Sequence, residues 1–199
     1  MPWFDPSEVR RRVLSLTIGI GGIAAIIASS ALHLFESHSK SAVPSLAASS
    51  PIEAGQWLVA LRGASVAMTT PDGRPVPKGQ RAIVVETEMT NRTTASSNDF
   101  YSVLRLDRPA SPSSKPMLYL DRDRTLLTQL HPGLTEKVTV AWTVPAEGPP
   151  PAVLKLAVAA KTFKPRDNLY AAPGWFNEHV VGTVDLPLLR RDQDGSSGG

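Results

Sequence analysis

The chain is expected to be all-β: an immunoglobulin-like β-sandwich carried behind one N-terminal transmembrane helix. Three observations predict this. Residues 13–35 form an apolar run with no Asp, Glu, Lys or Arg. Beyond residue 55, short segments of alternating polarity are separated by turn residues, as in a sandwich. The chain also holds 18 prolines and 14 glycines, and nothing outside the apolar run has the period of a long amphipathic helix.

The N-terminal elements come first. Residues 1–12 form a cytoplasmic stub with Trp3 and Phe4 as interfacial anchors and an Arg10-Arg11-Arg12 cluster at its end. The run VLSLTIGIGGIAAIIASSALHLF follows. At about 1.5 Å of rise per residue it crosses a hydrocarbon core of about 30 Å. Three arginines before it, against Glu36 and Lys40 after it, place the N-terminus in the cytoplasm and the remainder outside. The rival is a cleaved secretory signal, but its apolar region is usually about 7–15 residues. No cysteine follows, so a lipoprotein anchor is excluded. Thr17, Gly21, Ala25 and Ser29 recur every four residues, a ridge of small side chains that admits a partner helix or a second copy of the chain. Residues 36–55, rich in Ser and Ala, have the composition of a flexible linker.

The sandwich is expected over residues 56–190. Its segments are Gln56–Thr69, with a glycine that marks a bulge, and Arg81–Asn91, with Ile83, Val85, Thr87 and Met89 on one face. Tyr101–Asp107, Lys115–Leu120, Thr125–Leu130, Glu136–Val144, Val153–Ala160 and His179–Leu189 complete about eight strands. Trp57, Trp142, Val85 and Leu156 are the expected core. Residues 191–199 read as a tail, whose closing GSSGG has the composition of a cloning scar.

Two stretches carry a resemblance. VPKGQRAIVVETEMTNRT has a glycine before a strand that ends in an asparagine-containing turn, and LHPGLTEKVTVAWTVP has Leu-x-Pro-Gly, an alternating strand and Val-Pro. Over residues 76–160 the pattern resembles the uncharacterised immunoglobulin-like ectodomains of bacterial envelope proteins, labelled immunoprotective-extracellular or telomeric-repeat-factor-like. The resemblance implies a membrane-anchored sandwich outside the cytoplasm and assigns no functional residue. The chain departs from those proteins in lacking a lipobox cysteine and in the insert DNLYAAPGWFNEH (167–179).

Composition narrows the chemistry. With 21 basic and 18 acidic side chains the net charge is only +3, too little for a dedicated nucleic-acid binder, so no nucleic acid is expected as a partner. Zero cysteines exclude disulfides, thiolate metal sites and cysteine nucleophiles. His33, His38, His131 and His179 have no metal-ligand spacing, and the chain has no GxSxG, SxxK or P-loop pattern. No enzyme, metal or cofactor is therefore expected. Glu86 and Glu88 read as a solvated strand face, and Asp121-Arg122-Asp123-Arg124 as a self-paired polar loop rather than a calcium loop. Asn91-Arg92-Thr93 matches a glycosylation sequon, idle in the GC-rich bacterial genome that 14 arginines against 7 lysines indicate.

The candidate surface is the aromatic stretch 163–179, read as a loop, with Phe163, Tyr170, Trp175 and Phe176. Tyr170, Trp175 and Phe176 are the candidate partner- or glycan-binding residues, although large apolar side chains favour tucking under the sandwich as a cap on its core. The function expected is that of a non-enzymatic, single-pass plasma-membrane protein. Its outer domain and helix bind another envelope protein, as an accessory subunit of a membrane complex. A cell-wall or glycan-binding module using the aromatic loop is the alternative.

Overall fold

The computed structural model describes residues 43–106 and 115–190. The transmembrane helix expected over 13–35, with Thr17, Gly21, Ala25 and Ser29, lies outside them. Among the described residues no helix is long and apolar enough to cross a membrane.

Eight strands follow in chain order: β1 (Ile52–Ala54), β2 (Trp57–Ala67), β3 (Gln80–Asn91), β4 (Leu104–Leu106), β5 (Met117–Leu120), β6 (Thr135–Pro145), β7 (Val153–Lys164) and β8 (Gly174–Arg190). Hydrogen bonding runs through the strands in the order β4-β7-β8-β2-β3-β6-β5, with β1 on β2; the first sheet, β5-β6-β3-β2, joins the second, β4-β7-β8, where Ala64–Val66 of β2 pairs in parallel with Leu188–Arg190 of β8. Alternation explains why they stack. The inward residues Trp57, Val59, Ile83, Val85, Val140 and Trp142 of the first sheet meet Leu104, Leu154, Leu156, Val158 and Val184 of the second in one buried cluster. The domain is a β-sandwich. Trp57, Trp142, Val85 and Leu156 are each at most 1% exposed. Removing either Trp ring would cost about 3–5 kcal/mol.

Register follows sequence detail. β2 and β3 slip between Leu61 and Gly63, the bulge expected of that glycine. Thr87 sits inward among apolar neighbours because its Oγ1 donates to the Val138 carbonyl at 2.8 Å. The outer face of β3 is not wholly solvated. Val84 joins Val76, Ala82, Tyr119 and Ala141 in a second, smaller cluster. The 68–77 segment folds onto it, with the Val76 N–H bonded to the Met68 carbonyl.

The two motif stretches meet in space. Asn91, fully buried at the end of β3, donates its Nδ2 to the carbonyls of Ala95 and Leu130, both at 2.8 Å. Its Oδ1 accepts from the Thr93 N–H at 2.9 Å and the Thr93 hydroxyl at 2.8 Å. The Gly133 N–H bonds back to the Asn91 carbonyl, and Gly133 has a φ of 71°. The asparagine turn and the Leu-x-Pro-Gly turn form one clasp. With both Nδ2 hydrogens engaged in the interior, the sequon is closed to a glycan.

Three expectations are corrected. The linker does not run to residue 55. Pro44–Leu46 lies alongside β8, with Ser45 parallel to Thr183, the Leu46 N–H bonded to the Thr183 carbonyl and the Thr183 N–H to the Pro44 carbonyl. Leu46 and Ala48 pack on the core, and β1 follows. The Leu46 side chain packs over Gly182, where a Cβ would lie 2.2 Å from Leu46 Cδ1. Second, Thr125–Leu130 makes only isolated bridges, Tyr119 to Leu126 and Ser97 to Leu130, because the Asn91 clasp diverts it. Third, Tyr101–Val103 is a turn, and strand pairing begins at Leu104.

Candidate functional site

The stretch read as an aromatic loop is mostly strand. β7 and β8 continue past the core as a hairpin, pairing Thr162 with Phe176, Phe163 with Trp175 and Lys164 with Gly174. Aromatic cross-strand pairs favour the extended pairing that the Pro and Gly residues obscured in the sequence. Consecutive pairs face opposite ways, so the hairpin has two aromatic faces. On one, the Phe163 and Trp175 rings lie 5.4 Å apart at 58°. On the other, Tyr170 stacks on Phe176 at 6.0 Å and 12°, and Lys164 Nζ stands 5.7 Å from the Phe176 ring centre.

None of these rings belongs to the sandwich core. Trp175 and Phe176 are half-buried, Phe163 is 49% exposed and Tyr170 67%. The expected capping of the core is therefore only partial. Trp175 leans on the β1–β2 turn at Gly55, whose φ is 68°; a Cβ there would sit 2.3 Å from the Lys161 carbonyl and 3.3 Å from the Trp175 ring. Leu169, 80% exposed, is the residue that the sequence reading missed. Its signal was the turn-forming Pro-Arg-Asp-Asn immediately before it.

Asp167 organises the tip. Its Oδ1 accepts the Leu169 N–H at 2.9 Å and the Tyr170 N–H at 3.3 Å, while Lys164 Nζ lies 3.2 Å from Oδ2. Those backbone donors, with Lys164, hold the Asp167 carboxyl below the usual carboxylate range. The Ala171 N–H bonds to the Asp167 carbonyl, and Ala171 takes a φ of 52°.

Two ion pairs fix the hairpin base. Lys161 Nζ lies 2.6 and 2.7 Å from the two Asp99 carboxylate oxygens, and Gln56 Nε2 donates to Oδ2 at 2.9 Å. The Trp57 indole N–H donates to the Asp99 carbonyl at 3.0 Å. Arg105 of β4 pairs with Glu178 of β8. Asp99 was not singled out in the sequence because these partners are 42 to 62 residues away — a separation no local pattern reports.

Elsewhere, an open groove of about 880 Å³ crosses the outer face of the first sheet between Met68, Glu86, Asp121, Arg124 and Arg190. Its mixed charges single out no ligand. Glu88 is paired with Arg62 at 2.6 Å, and that bond lowers its pKa. Asp123 accepts from the Thr125 N–H and hydroxyl at 3.1 and 2.7 Å; Arg122 lies 3.8 Å from Asp123 but pairs more closely with Glu136 of β6 at 3.1 Å, so the loop is paired only in part with itself. His131 Nδ1 is bonded to Ser96 Oγ at 2.8 Å. Among the described residues no group of three or more His, Asp or Glu side chains is arranged to hold a metal ion.

No protein-family model and no curated protein sequence matches the chain. Among solved structures, it is similar to an uncharacterized beta-sandwich protein from Clostridium difficile 630, at 11% identity and a TM-score of 0.47, over 74% of this chain and 96% of that one. The hairpin thus stands on its own geometry. It presents rings and a leucine on an ion-paired base.

Proposed function

We propose that the chain is a non-enzymatic, single-pass envelope protein with a cytoplasmic N-terminus. Its immunoglobulin-like outer domain, of the kind the two motif stretches resemble, binds another envelope protein as an accessory subunit. Residues 13–35 serve as the anchor, and the small-residue ridge Thr17, Gly21, Ala25 and Ser29 packs on a partner helix. The outer contact is the β7–β8 hairpin, through Tyr170, Trp175 and Phe176. The observation that carries this reading is a rigidly based hairpin that leaves apolar rings half-exposed. Such rings give a protein interface large contact area for little conformational entropy.

A glycan module is the lesser reading, since sugar stacking needs a free ring face. Trp175 is engaged by Phe163 and Gly55, and Phe176 by Tyr170 and Lys164, which leaves Tyr170 alone with an open face. The test is co-purification of the full chain from native membranes in mild detergent. Tyr170→Ser with Phe163→Ser, or Gly21→Leu with Ala25→Leu, is expected to lower recovery of one partner at least tenfold, as loss of roughly 1.5 kcal/mol would. Full recovery with both pairs of substitutions refutes the reading, and glycan binding lost with Tyr170→Ser would replace it.

A further inference from the structure

We infer that the leading edge of the β7–β8 hairpin docks on the lipid headgroup layer of the membrane that anchors the chain. The inference rests on the proposed anchor and goes beyond the protein contact, with which it shares only Tyr170.

The chain's entry into the sandwich supplies the direction. Ser45 pairs parallel with Thr183, so Pro44–Leu46 runs the same way as β8. Traced back from Leu46 to Val43, the described chain runs toward the start of β8, which is the hairpin end. The amino-terminal entry of the domain therefore points toward the hairpin end. The β2–β3 turn with exposed Lys78 lies at the other, because the close of β8 pairs with Ala64–Val66.

Reach agrees with direction. Seven residues, 36–42, separate the apolar run from Val43. Fully extended they span at most about 25 Å. Along β8, the stretch from Val181, beside Val43, back to Gly174 covers roughly 20 Å at strand rise, before the turn adds its own length. The tip thus comes within reach of the bilayer surface.

The side chains suit an interface. Leu169 is 80% exposed and stands beside Tyr170, whose ring is apolar and whose hydroxyl is polar, the combination enriched where hydrocarbon meets water. Arg166 is exposed and has no partner among the described residues, and Lys164 flanks the same turn. Asp167, the acidic residue of the turn, is buried, with Oδ1 taken by backbone N–H groups and Oδ2 by Lys164. The unpaired outward charge is that of Arg166, which is complementary to anionic headgroups.

The chain has no cysteine, so single labels are unambiguous. Asn168→Cys, Lys78→Cys and Ile23→Cys, each carrying an environment-sensitive fluorophore on the full chain, are reconstituted alone in vesicles of three parts phosphatidylcholine to one part phosphatidylglycerol. The label at 168 is expected to be quenched by headgroup-level spin-labelled lipid and shielded from aqueous iodide, and the label at 78 to show neither. Leu169→Asp should abolish the effect. Arg166→Gln should lower the docked-to-free ratio about fivefold. A label at 168 as open to iodide as the one at 78 overturns docking. Quenching at Ile23 by mid-chain spin label then shows that the anchor holds and only the docking fails; its absence shows that the anchor has failed as well. Shielding at 168 that appears only in vesicles containing other membrane proteins would also overturn it, and would assign the tip to a protein.

Discussion

Substituting Asn91 gives a sharp quantitative expectation. Its side chain makes four hydrogen bonds, two as donor and two as acceptor, from a position with no solvent exposure. Asn91→Ala removes all four. Each is worth about 1 kcal/mol net, and the Thr93 and Ala95 groups recover part of that from water, so the loss is about 2–4 kcal/mol. With a urea slope of about 2 kcal/mol/M, the unfolding midpoint of the sandwich should fall by about 1–2 M at unchanged slope. Asn91→Asp distinguishes hydrogen bonding from mere volume. The new carboxylate keeps the Thr93 acceptor role but turns an oxygen toward the carbonyls of Ala95 and Leu130. It should therefore be worse than alanine at neutral pH. Burial raises the pKa of such a carboxyl, so its stabilising neutral form is present at low pH and lost as pH rises. The Asn91→Asp domain should accordingly gain stability relative to Asn91→Ala between neutral and mildly acid pH. Tryptophan fluorescence during urea titration reads all three proteins. An aspartate variant as stable as the alanine one, or an alanine variant within about 0.5 kcal/mol of the parent, would refute the clasp.

Gly182→Ala should expel the entry segment, because its Cβ would collide with Leu46. Amide exchange at Leu46 and Thr183 is expected to rise while the β3–β6 amides stay protected; retained protection at Thr183 would show that the collision is absorbed. The Asp167 carboxyl, held low by the Leu169 and Tyr170 amides, contributes order above its unfolded pKa of about 3.9 and loses it as pH falls through the lower folded value. The Leu169 amide proton shift should follow that titration, with a midpoint below the ordinary aspartate range, and Asp167→Asn should remove it. A midpoint at the ordinary value would mean that the turn does not use the carboxylate.

The sandwich was legible where side chains alternate against a single core. The Ile83-Val85-Thr87-Met89 face, the strand ending at Val144 and the bulge at Gly63 all follow from period-two patterning and one glycine. Other parts depend on contacts far along the chain. Pro44–Leu46 has linker composition, and only the small residue at Gly182 lets it lie flat against β8. Phe163 and Trp175 read as loop aromatics, since the proline and glycine residues between them hide a cross-strand pair. Leu169 lacked any periodic neighbour, and Asp99 drew no notice because Gln56, Trp57 and Lys161 come from separate strands and turns.

β8 pairs with β7 for most of its length, takes up the entry segment at Thr183 and ends against Ala64–Val66 of β2. The last strand made is thus the one that both early segments need. During synthesis the earlier strands must wait, with the Ala64–Val66 edge of β2 unpaired, until β8 has been made. Loop closure over such a span is slow compared with hairpin formation. The interval before β8 arrives is the time when a holding chaperone would matter most, and a chain truncated ahead of Gly174 would remain in that open state.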